Sequence, residues 1–210
     1  MEIRPFVLGE YGVSAYVVTA GESAMIMDAP EGSEAIIAFC EARGLVPGLL
    51  VNTHGHADHI YANRQLKDRW PDLAIAVGQA DAKLLASPLR NLSPLMGAWV
   101  KSPPPQRLLA DGDRIDLGPA IFEVLATPGH TKGGISLFSP DGPGAQPVVF
   151  TGDTLFAGGV GRTDFPGGSH ETLLDSIRRR LLVLPPETVV YPGHGPPSTV
   201  ADEARSNPFL

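Results

Sequence analysis

The order of hydrophobic and polar residues predicts strands and helices in alternation. Short apolar runs between glycine-bearing turns are typical of strands. In the first half of the chain the predicted strands cover 2–8, 14–20, 23–28, 48–52 and 73–77. The predicted helices there cover 33–43, 57–70 and 81–86. In the second of these helices Ala62, Leu66 and Trp70 recur at four-residue spacing, and Pro71 ends the pattern.

The second half of the chain repeats this theme. Its predicted strands cover 107–110, 114–117, 120–126, 134–138, 147–151 and 188–191. A helix is predicted after Ser169, a good N-cap, because the apolar side chains that follow share one helical face. A closing helix is predicted over 201–206. The similar blocks 1–105 and 106–200 favour an α/β fold, a four-layer αββα sandwich of two mixed β-sheets with outer helices, and one domain over 1–210.

The segment 87–106 departs from both patterns. Its prolines argue against regular structure, yet several of its residues are too apolar for a solvated linker. These are Leu92, Leu95, Met96, Trp99 and Val100. Long loops in compact domains tend to be functional or disordered. Two interpretations follow: a lid or wall of a pocket, or a loop that docks on the core or on a partner subunit.

Composition and charge narrow the function. The chain has 210 residues and a formal net charge of −7, which disfavours a surface for nucleic acid or anionic membranes. Cys40 is the only cysteine, so an intrachain disulfide is excluded and buried packing is its expected role. No apolar run is long enough to cross a membrane, and the N-terminus lacks the apolar part of a secretion signal. A cytoplasmic protein is therefore expected.

The most informative motif directly follows the predicted strand 48–52. Residues 54–59 read His-Gly-His-Ala-Asp-His, or H-x-H-x-D-H. Imidazole and carboxylate are ligand types that divalent transition metals prefer. Four such groups at this spacing are costly to place together unless a cation compensates them. The motif therefore predicts a metal site.

Three later turns carry the same kinds of side chain. His130, Asp153 and His194 each come shortly after a predicted strand. Small residues beside each of them let the backbone turn tightly next to a cation. Side chains on strand-end loops of a rigid scaffold commonly build one site. We therefore expect these three residues to share a site with the first motif.

In these motifs the sequence resembles the metallo-β-lactamase fold superfamily along nearly its whole length. The resemblance implies two divalent metal ions, with zinc the expected metal and iron or manganese as alternatives. The ligands that it implies for the first ion are His54, His56 and His130. Those for the second are Asp58, His59 and His194. Asp153 would bridge both ions.

Within that superfamily the sequence is most similar to small hydrolases of the glyoxalase II type. The similarity lies in the runs 152–156, 161–169, 190–196 and 207–210. A bridging Asp153 is unlike the true β-lactamases. Larger glyoxalase II enzymes carry a C-terminal helical domain that helps to bind glutathione, and here only 16 residues follow His194, so that domain is expected to be absent. The Lys and Tyr that those enzymes place after the bridging Asp motif are also missing.

The resemblance implies hydrolysis of a thioester or ester, such as S-lactoylglutathione, by a hydroxide that bridges the two metals. Paired cations lower the pKa of a shared water to about 7 and stabilise the oxyanion that develops. Asp58 is the candidate catalytic residue, because it lies beside the implied bridge and can aim the hydroxide. Arg162 is a candidate for binding a substrate carboxylate, and a structural pair with Asp164 is the alternative. His170 is expected to face solvent or to lie behind the ligands.

Other functions stay open at this point. A persulfide dioxygenase of the same fold would hold one iron with the equivalents of His54, His130 and Asp153. Lactone hydrolysis is a further alternative. A non-catalytic scaffold is disfavoured because it has no reason to keep seven ligands. The expected partner is a small-molecule substrate, not a nucleic acid or a membrane, and the sequence does not determine the oligomeric state.

Overall fold

The computed structural model describes residues 1–210 and contains two six-stranded sheets and one small hairpin. The strands of the first sheet are β1 Glu2–Leu8, β2 Val13–Ala20, β3 Ser23–Met27, β4 Leu49–Asn52, β5 Ala74–Gly78 and β6 Arg107–Leu109. They lie in the order β1-β2-β3-β4-β5-β6. The pairs from β1 to β3 are antiparallel, and those from β3 to β6 are parallel. The first sheet is therefore mixed, as predicted.

The second sheet is built by the second half of the chain. Its strands are β7 Arg114–Leu117, β8 Ala120–Ala126, β9 Ile135–Ser139, β10 Val148–Gly152, β13 Val189–Pro192 and β14 Ser198–Thr199, and the hairpin is β11 Leu155–Phe156 with β12 Gly159–Val160. The strand order is β14-β13-β10-β9-β8-β7. All neighbours are antiparallel except the parallel pair β10 and β13. As a result β8, β10 and β13 run in the same direction, and their carboxyl ends lie on one edge.

The helices cover the outer faces of the sheets. They are α1 Glu34–Ala42, α2 Ala57–Ile60, α3 Asn63–Arg69, α4 Ala82–Leu85, α5 His170–Ser176 and α6 Val200–Ser206. A π-helical turn over Ile177–Leu181 continues α5, and 3₁₀ turns lie at Gln79–Asp81, Ser93–Met96 and Pro143–Ala145. None of the helices has the length and apolar character needed to cross a membrane.

Three apolar clusters account for the layers. One lies between the two sheets and includes Met25 and Phe122. A second packs α1 and α3 on the first sheet through Ile36 and Leu66. A third packs α5 on the second sheet, with Leu173 as its helical member. Burial of these side chains on both sides of each sheet is the main stabilising contribution, at roughly 1.5–3 kcal/mol per large apolar side chain. The arrangement confirms the predicted αββα sandwich.

The segment 57–70 is helical as predicted, but it is not one continuous helix, because the structure divides it into α2 and α3. The backbone N–H of Ala29 donates to the carbonyl of His59 at 2.8 Å, and that of Ala62 donates to the carbonyl of Ala29 at 2.8 Å. In a continuous helix the carbonyl of His59 and the N–H of Ala62 would bond within the helix. Here they bond instead to Ala29, in the segment that follows β3. The short strands β11, β12 and β14 were not predicted.

The segment 87–106 is held in place by buried polar side chains. The amide nitrogen of Asn91 donates to the carbonyl of Val100 at 2.9 Å, and the hydroxyl of Ser93 accepts from the backbone N–H of Val100 at 3.1 Å. Val100 is buried in the core cluster of the first sheet. The backbone N–H of Ala57 donates to the carbonyl of Asn91 at 2.8 Å, which ties the segment to the H-x-H-x-D-H loop. The segment therefore docks on the core and also reaches the candidate site.

Candidate metal centre

The structure brings all seven predicted ligand side chains together at one edge of the two sheets. The H-x-H-x-D-H loop follows β4, and the other three ligands follow β8, β10 and β13. The backbone N–H of Ile135, at the start of β9, donates to the carbonyl of Thr53 at 2.9 Å, so the two sheets are joined beside the loop. The seven residues form three overlapping groups whose ligand atoms lie within 4.8 Å of one another in each group.

The first group consists of His54, His56 and His130. All three side chains are buried. Nδ1 of His56 and Nε2 of His130 lie only 2.8 Å apart. Two imidazole nitrogens at this distance, without a carboxylate between them, are suited to face one cation.

The other groups contain the two acidic side chains. Nε2 of His59 lies 3.3 Å from Oδ1 of Asp153. Nε2 of His194 lies 3.5 Å from Oδ2 of Asp153. Oδ2 of Asp153 also lies 3.6 Å from Nε2 of His130, which belongs to the first group. Oδ2 of Asp58 lies 3.7 Å from Nε2 of His194. The carboxylate of Asp153 thus stands between the two sets of imidazoles.

Unpaired buried atoms indicate that this cluster is suited to bind cations. Nε2 of His54 is buried and has no hydrogen-bond partner, and the buried Nε2 of His59 and Oδ1 of Asp153 lie 3.3 Å apart without hydrogen-bond geometry. Leaving buried polar atoms unpaired is costly, and such atoms are rare in folded proteins. All three belong to the predicted ligand set, which offers nitrogen and oxygen and no thiolate. This donor set fits zinc, iron or manganese.

Hydrogen bonds at the far side of four imidazole rings orient them. Nδ1 of His59 donates to Oδ2 of Asp28 at 2.8 Å, and Nδ1 of His54 lies 3.2 Å from the hydroxyl oxygen of Thr53. Nδ1 of His130 donates to the carbonyl of Arg162 at 2.7 Å, and Nδ1 of His194 donates to the carbonyl of Tyr11 at 3.1 Å. With a proton on Nδ1, each ring keeps the lone pair on Nε2 for a cation.

Asp28 was not identified from the sequence, where it stands at the end of a predicted strand. It is buried and has a left-handed backbone conformation, with φ of 59°. Its Oδ1 accepts from the backbone N–H of Thr53 at 2.8 Å, and its Oδ2 accepts from the hydroxyl of Thr53 at 2.8 Å and from His59. A strained non-glycine residue beside a site is often functional. Its position after a strand, like that of the ligands, is the signal that could have identified it.

Asp81 is a second acidic residue that the sequence analysis missed. Its side chain is fully buried. Oδ2 accepts from the backbone N–H of Gly55 at 2.9 Å, and Oδ1 accepts from the backbone N–H of Gly133 at 2.7 Å. Gly55 lies between two predicted ligands, and Gly133 lies three residues after His130. One carboxylate therefore joins two ligand-bearing loops.

The cluster has opposing electrostatic effects. Burial lowers the pKa of His54 well below its ordinary value, and the neighbouring His59 and His130 lower it further. Burial also lowers the pKa of His59, but Asp153, Asp28 and Asp58 raise it more, so its net pKa lies well above the ordinary value. Burial raises the pKa of Asp153, but His59, His54 and His130 together lower it by more, so the pKa of this carboxylate lies well below its usual range.

A cavity of about 670 Å³ opens above the cluster. Its floor contains five predicted ligands: His56, Asp58, His130, Asp153 and His194. Its walls are Tyr11, Asn91, Leu92, Leu95, Met96, Phe156, Val160, Arg162 and Phe165. Clefts of this size with a few converging polar groups are typical of small-molecule sites. The segment 87–106 thus forms a pocket wall, which was one of its two predicted roles.

Arg162 lines the cavity, but its guanidinium is already paired. Its Nε donates to Oδ1 of Asp164 at 2.7 Å, and its Nη2 donates to Oδ2 of Asp164 at 2.6 Å. This is the bidentate pair that the sequence offered as the alternative role, and the binding of a substrate carboxylate stays a prediction. His170 is exposed at the start of α5 and is not among the residues that line the cavity.

The fold and the site now define a class of protein. A family model described as the metallo-β-lactamase superfamily matches residues 8–194. The chain belongs to this superfamily, and its clusters of His and Asp are consistent with a binuclear metal site.

Two curated relatives are similar over most of the chain. A probable metallo-hydrolase, YqgX, of Bacillus subtilis (strain 168) is 36% identical over 211 residues, covering 100% of this chain and 98% of that protein. A hydroxyacylglutathione hydrolase, GloC, of Haemophilus influenzae is 37% identical over 193 residues, covering 90% of this chain and 88% of that protein.

Solved structures share the fold. A crystal structure of BLEG-1 B3 metallo-β-lactamase is 33% identical with a TM-score of 0.92, covering 100% of this chain and 99% of the other. A crystal structure of TTHA1623 in a di-iron-bound form is 40% identical with a TM-score of 0.87, covering 99% and 100%. The second shows that a similar protein holds two iron ions.

Proposed function

We propose that this protein hydrolyses a thioester or ester, using two divalent cations at this centre. The observation that carries the proposal is the position of Asp153. Its carboxylate lies between His130 on one side and His59 and His194 on the other, under an open cavity. A carboxylate shared by two sets of imidazoles is suited to hold two cations close together.

Each cation has a proposed set of ligands. The first would be held by His54, His56 and His130, the second by Asp58, His59 and His194, and Asp153 would contact both. When bound, such a pair lowers the pKa of a shared water and polarises a substrate carbonyl. Zinc is the proposed metal, and the donor set also fits iron and manganese.

Asp58 has the features of the residue that handles the proton of the attacking water. Burial raises its pKa, but His59 and the hydrogen bond with His194 lower it by more, so the net pKa lies below the ordinary value. Its side chain is 22% exposed and lines the cavity. An ionised carboxylate in this position can accept a hydrogen bond from a water, aim it at a carbonyl carbon and take its proton.

The cavity offers no side chain for covalent catalysis through an oxygen or sulfur nucleophile of Ser, Thr or Cys. None of these three residue types lines it. The only cysteine, Cys40, is fully buried on α1. A water molecule is therefore the proposed nucleophile, which agrees with a hydrolase. The name of the GloC relative supports a thioester as the substrate, with an acylated glutathione as the first compound to test.

The test is turnover of S-lactoylglutathione and of S-acetyl-N-acetylcysteamine by protein loaded separately with zinc, iron and manganese. Loss of thioester absorbance reports cleavage. We expect turnover with at least one metal, and a fall of roughly 100-fold or more in kcat for Asp58→Ala. The matched control is Asp116→Asn, an exposed aspartate on β7, which should keep the wild-type rate.

Metal content, measured for each variant, separates loss of a ligand from loss of proton transfer. The proposal fails if no metal form cleaves either thioester or a simple ester. Oxygen uptake with glutathione persulfide by the iron form, without thioester cleavage, would instead favour a dioxygenase.

A further inference from the structure

We propose that the thioester or ester cleaved here carries an uncharged apolar substituent, and that the charges of a glutathione moiety are not recognised. This inference rests on the proposed function, because it assigns a substrate class to the same site. The evidence for it is the set of residues that form the walls of the cavity, and not the predicted ligands on its floor.

Apolar residues from two parts of the chain line the cavity. The segment 87–106 contributes Leu92, Leu95 and Met96, and the region after β10 contributes Phe156, Val160 and Phe165. Phe156 and Val160 belong to the β11–β12 hairpin. A substituent that packs against these residues is removed from contact with water. The favourable free energy of binding grows with the apolar area that it buries.

The wall formed by segment 87–106 is built in advance of substrate. The buried side chains of Asn91 and Ser93 hold its turn through hydrogen bonds to Val100. Leu92 lies between them in the left-handed region, with φ of 69°. This conformation is unfavourable for a leucine and persists only where the surroundings impose it. Leu92 is therefore both strained and part of the cavity lining. This combination indicates that the position of Leu92 serves the site.

The cavity walls offer no unpaired lysine or arginine for a charged substituent. Arg162 is the only lysine or arginine that lines it. Its guanidinium is engaged by both oxygens of Asp164 and lies 3.9 Å from the centre of the Phe165 ring. Glutathione carries two carboxylates, and carboxylates that leave water need charged or hydrogen-bonding partners. Arg162 is paired, the amide nitrogen of Asn91 already donates to Val100, and Tyr11 is the one other uncharged polar residue of the walls, so two carboxylates would lack charged partners there.

The test compares kcat/KM for thioesters that differ in one respect at a time. The acyl group is varied through acetyl, butyryl and hexanoyl on N-acetylcysteamine, an uncharged thiol. Each acyl group is then repeated on glutathione. We expect kcat/KM to rise by roughly fourfold per added methylene, and the glutathione thioesters to be no better than their uncharged counterparts. A flat chain-length series, or a tenfold preference for glutathione, would overturn the inference.

Variants of Leu92 separate the wall from the stability of the fold. Leu92→Gly removes the side chain and also relieves the left-handed conformation, so its melting temperature should equal or exceed that of the wild type. We expect this variant to lower the ratio of hexanoyl to acetyl kcat/KM by roughly tenfold. Val46→Ala, an exposed apolar residue outside the cavity, is the matched control. An unchanged ratio in a stable Leu92→Gly protein would contradict the role of the wall.

Removing the partner of Arg162 tests whether its pairing prevents the recognition of glutathione carboxylates. Asp164→Asn removes the carboxylate that pairs with Arg162, so cleavage of glutathione thioesters should increase relative to the uncharged series. No change in that relative rate would mean that the pair does not limit the recognition of carboxylates, and would count against the inference.

Binding distinguishes this inference from the proposed function. The uncleavable thioethers S-hexyl-N-acetylcysteamine and S-hexylglutathione can be compared by calorimetry on the metal-loaded protein. Tighter binding of the uncharged thioether, without any thioester turnover, would retain the ligand class and reject the hydrolase. Tighter binding of S-hexylglutathione would reject the ligand class even if the hydrolase is active.

Discussion

Nδ1 of His59 lies 2.8 Å from Oδ2 of Asp28, and both side chains are buried. The carboxylate holds the proton of His59 on Nδ1, and Nε2 is left free to face Asp153 at 3.3 Å. Both oxygens of Asp28 are used, because Thr53 donates its backbone N–H to one and its hydroxyl to the other. A residue outside the ligand set therefore determines which nitrogen of a proposed ligand is available.

Asp28→Asn should weaken metal binding without unfolding the protein. Asparagine tolerates the left-handed conformation, but its amide must place an NH₂ against a donor of either Thr53 or His59. We expect a loss of metal affinity of roughly 10–100-fold. Dialysis against a competing chelator, followed by metal analysis, measures this. Asp116→Asn is the control, and an Asp28→Asn protein with the affinity of the wild type would contradict the argument.

Asp81→Asn should loosen the two loops that this carboxylate joins. Its two oxygens accept backbone N–H groups from Gly55 and Gly133, and an amide can accept only one of them. We expect the free energy of unfolding to fall by about 1–3 kcal/mol and metal affinity to fall with it. Urea unfolding of the metal-free protein isolates the first effect. Asp141→Asn, at an exposed position, should change neither quantity.

Gly193→Ala should disturb the centre without changing any ligand. A Cβ at this position would collide with Oδ1 of Asp153 and would lie 2.8 Å from Cε1 of His59. We expect lower metal content and lower activity. Gly48→Ala is the matched control, because a Cβ there meets nothing within 4 Å. Equal metal content in the two variants would show that the site accommodates the added methyl group.

The pH dependence of the metal-free protein should report on His56. Burial, helped by His130, lowers the pKa of His56 to about 4. An unfolded histidine has a pKa of about 6.5, so between these values the unfolded state binds the proton and the folded state does not. His56 therefore makes folding less favourable as the pH falls from 7 to 5, by about 1–2 kcal/mol.

His56→Gln should remove that part of the slope, as measured by urea unfolding at pH 7 and pH 5 with chelator present. Burial likewise lowers the pKa of His54, so some loss of stability at low pH should remain. The pKa of His194 is raised, and its contribution has the opposite sign, being present at low pH and lost as the pH rises through the folded pKa. Parallel slopes in His56→Gln and wild type would refute the assignment.

Cys40 should be inert in the folded protein. Its side chain is fully buried, and burial raises the pKa of the thiol to about 11. Because the thiolate is the reactive form, labelling by a disulfide reagent at pH 8 should be slow in buffer and should reach one thiol per chain in denaturant. Rapid labelling of the native protein would show that α1 opens locally.

Local patterns in the sequence were sufficient to predict the main strands and the turns that carry the candidate ligands. Strands β7 and β8 have the predicted bounds, because alternating apolar residues between turns depend on neighbours in the chain. The break between α2 and α3 was not predicted, because it is made by hydrogen bonds of Ala29 with His59 and Ala62. Such a bond depends on which strands pair, and this cannot be read from helical periodicity.

The sequence by itself determined the two-block organisation, the strand-end positions of His54, His130, Asp153 and His194, and the chemical character of the site. These features rest on residue type and short spacing. Only the tertiary structure decided that Asp28 orients a ligand, that Asp81 joins two loops, that Arg162 is paired, and that Leu92 forms a wall. Each of these roles depends on contacts between residues that the sheets bring together from separate parts of the chain. Their physical basis is the packing and hydrogen bonding of buried groups, which appear only once the two sheets meet.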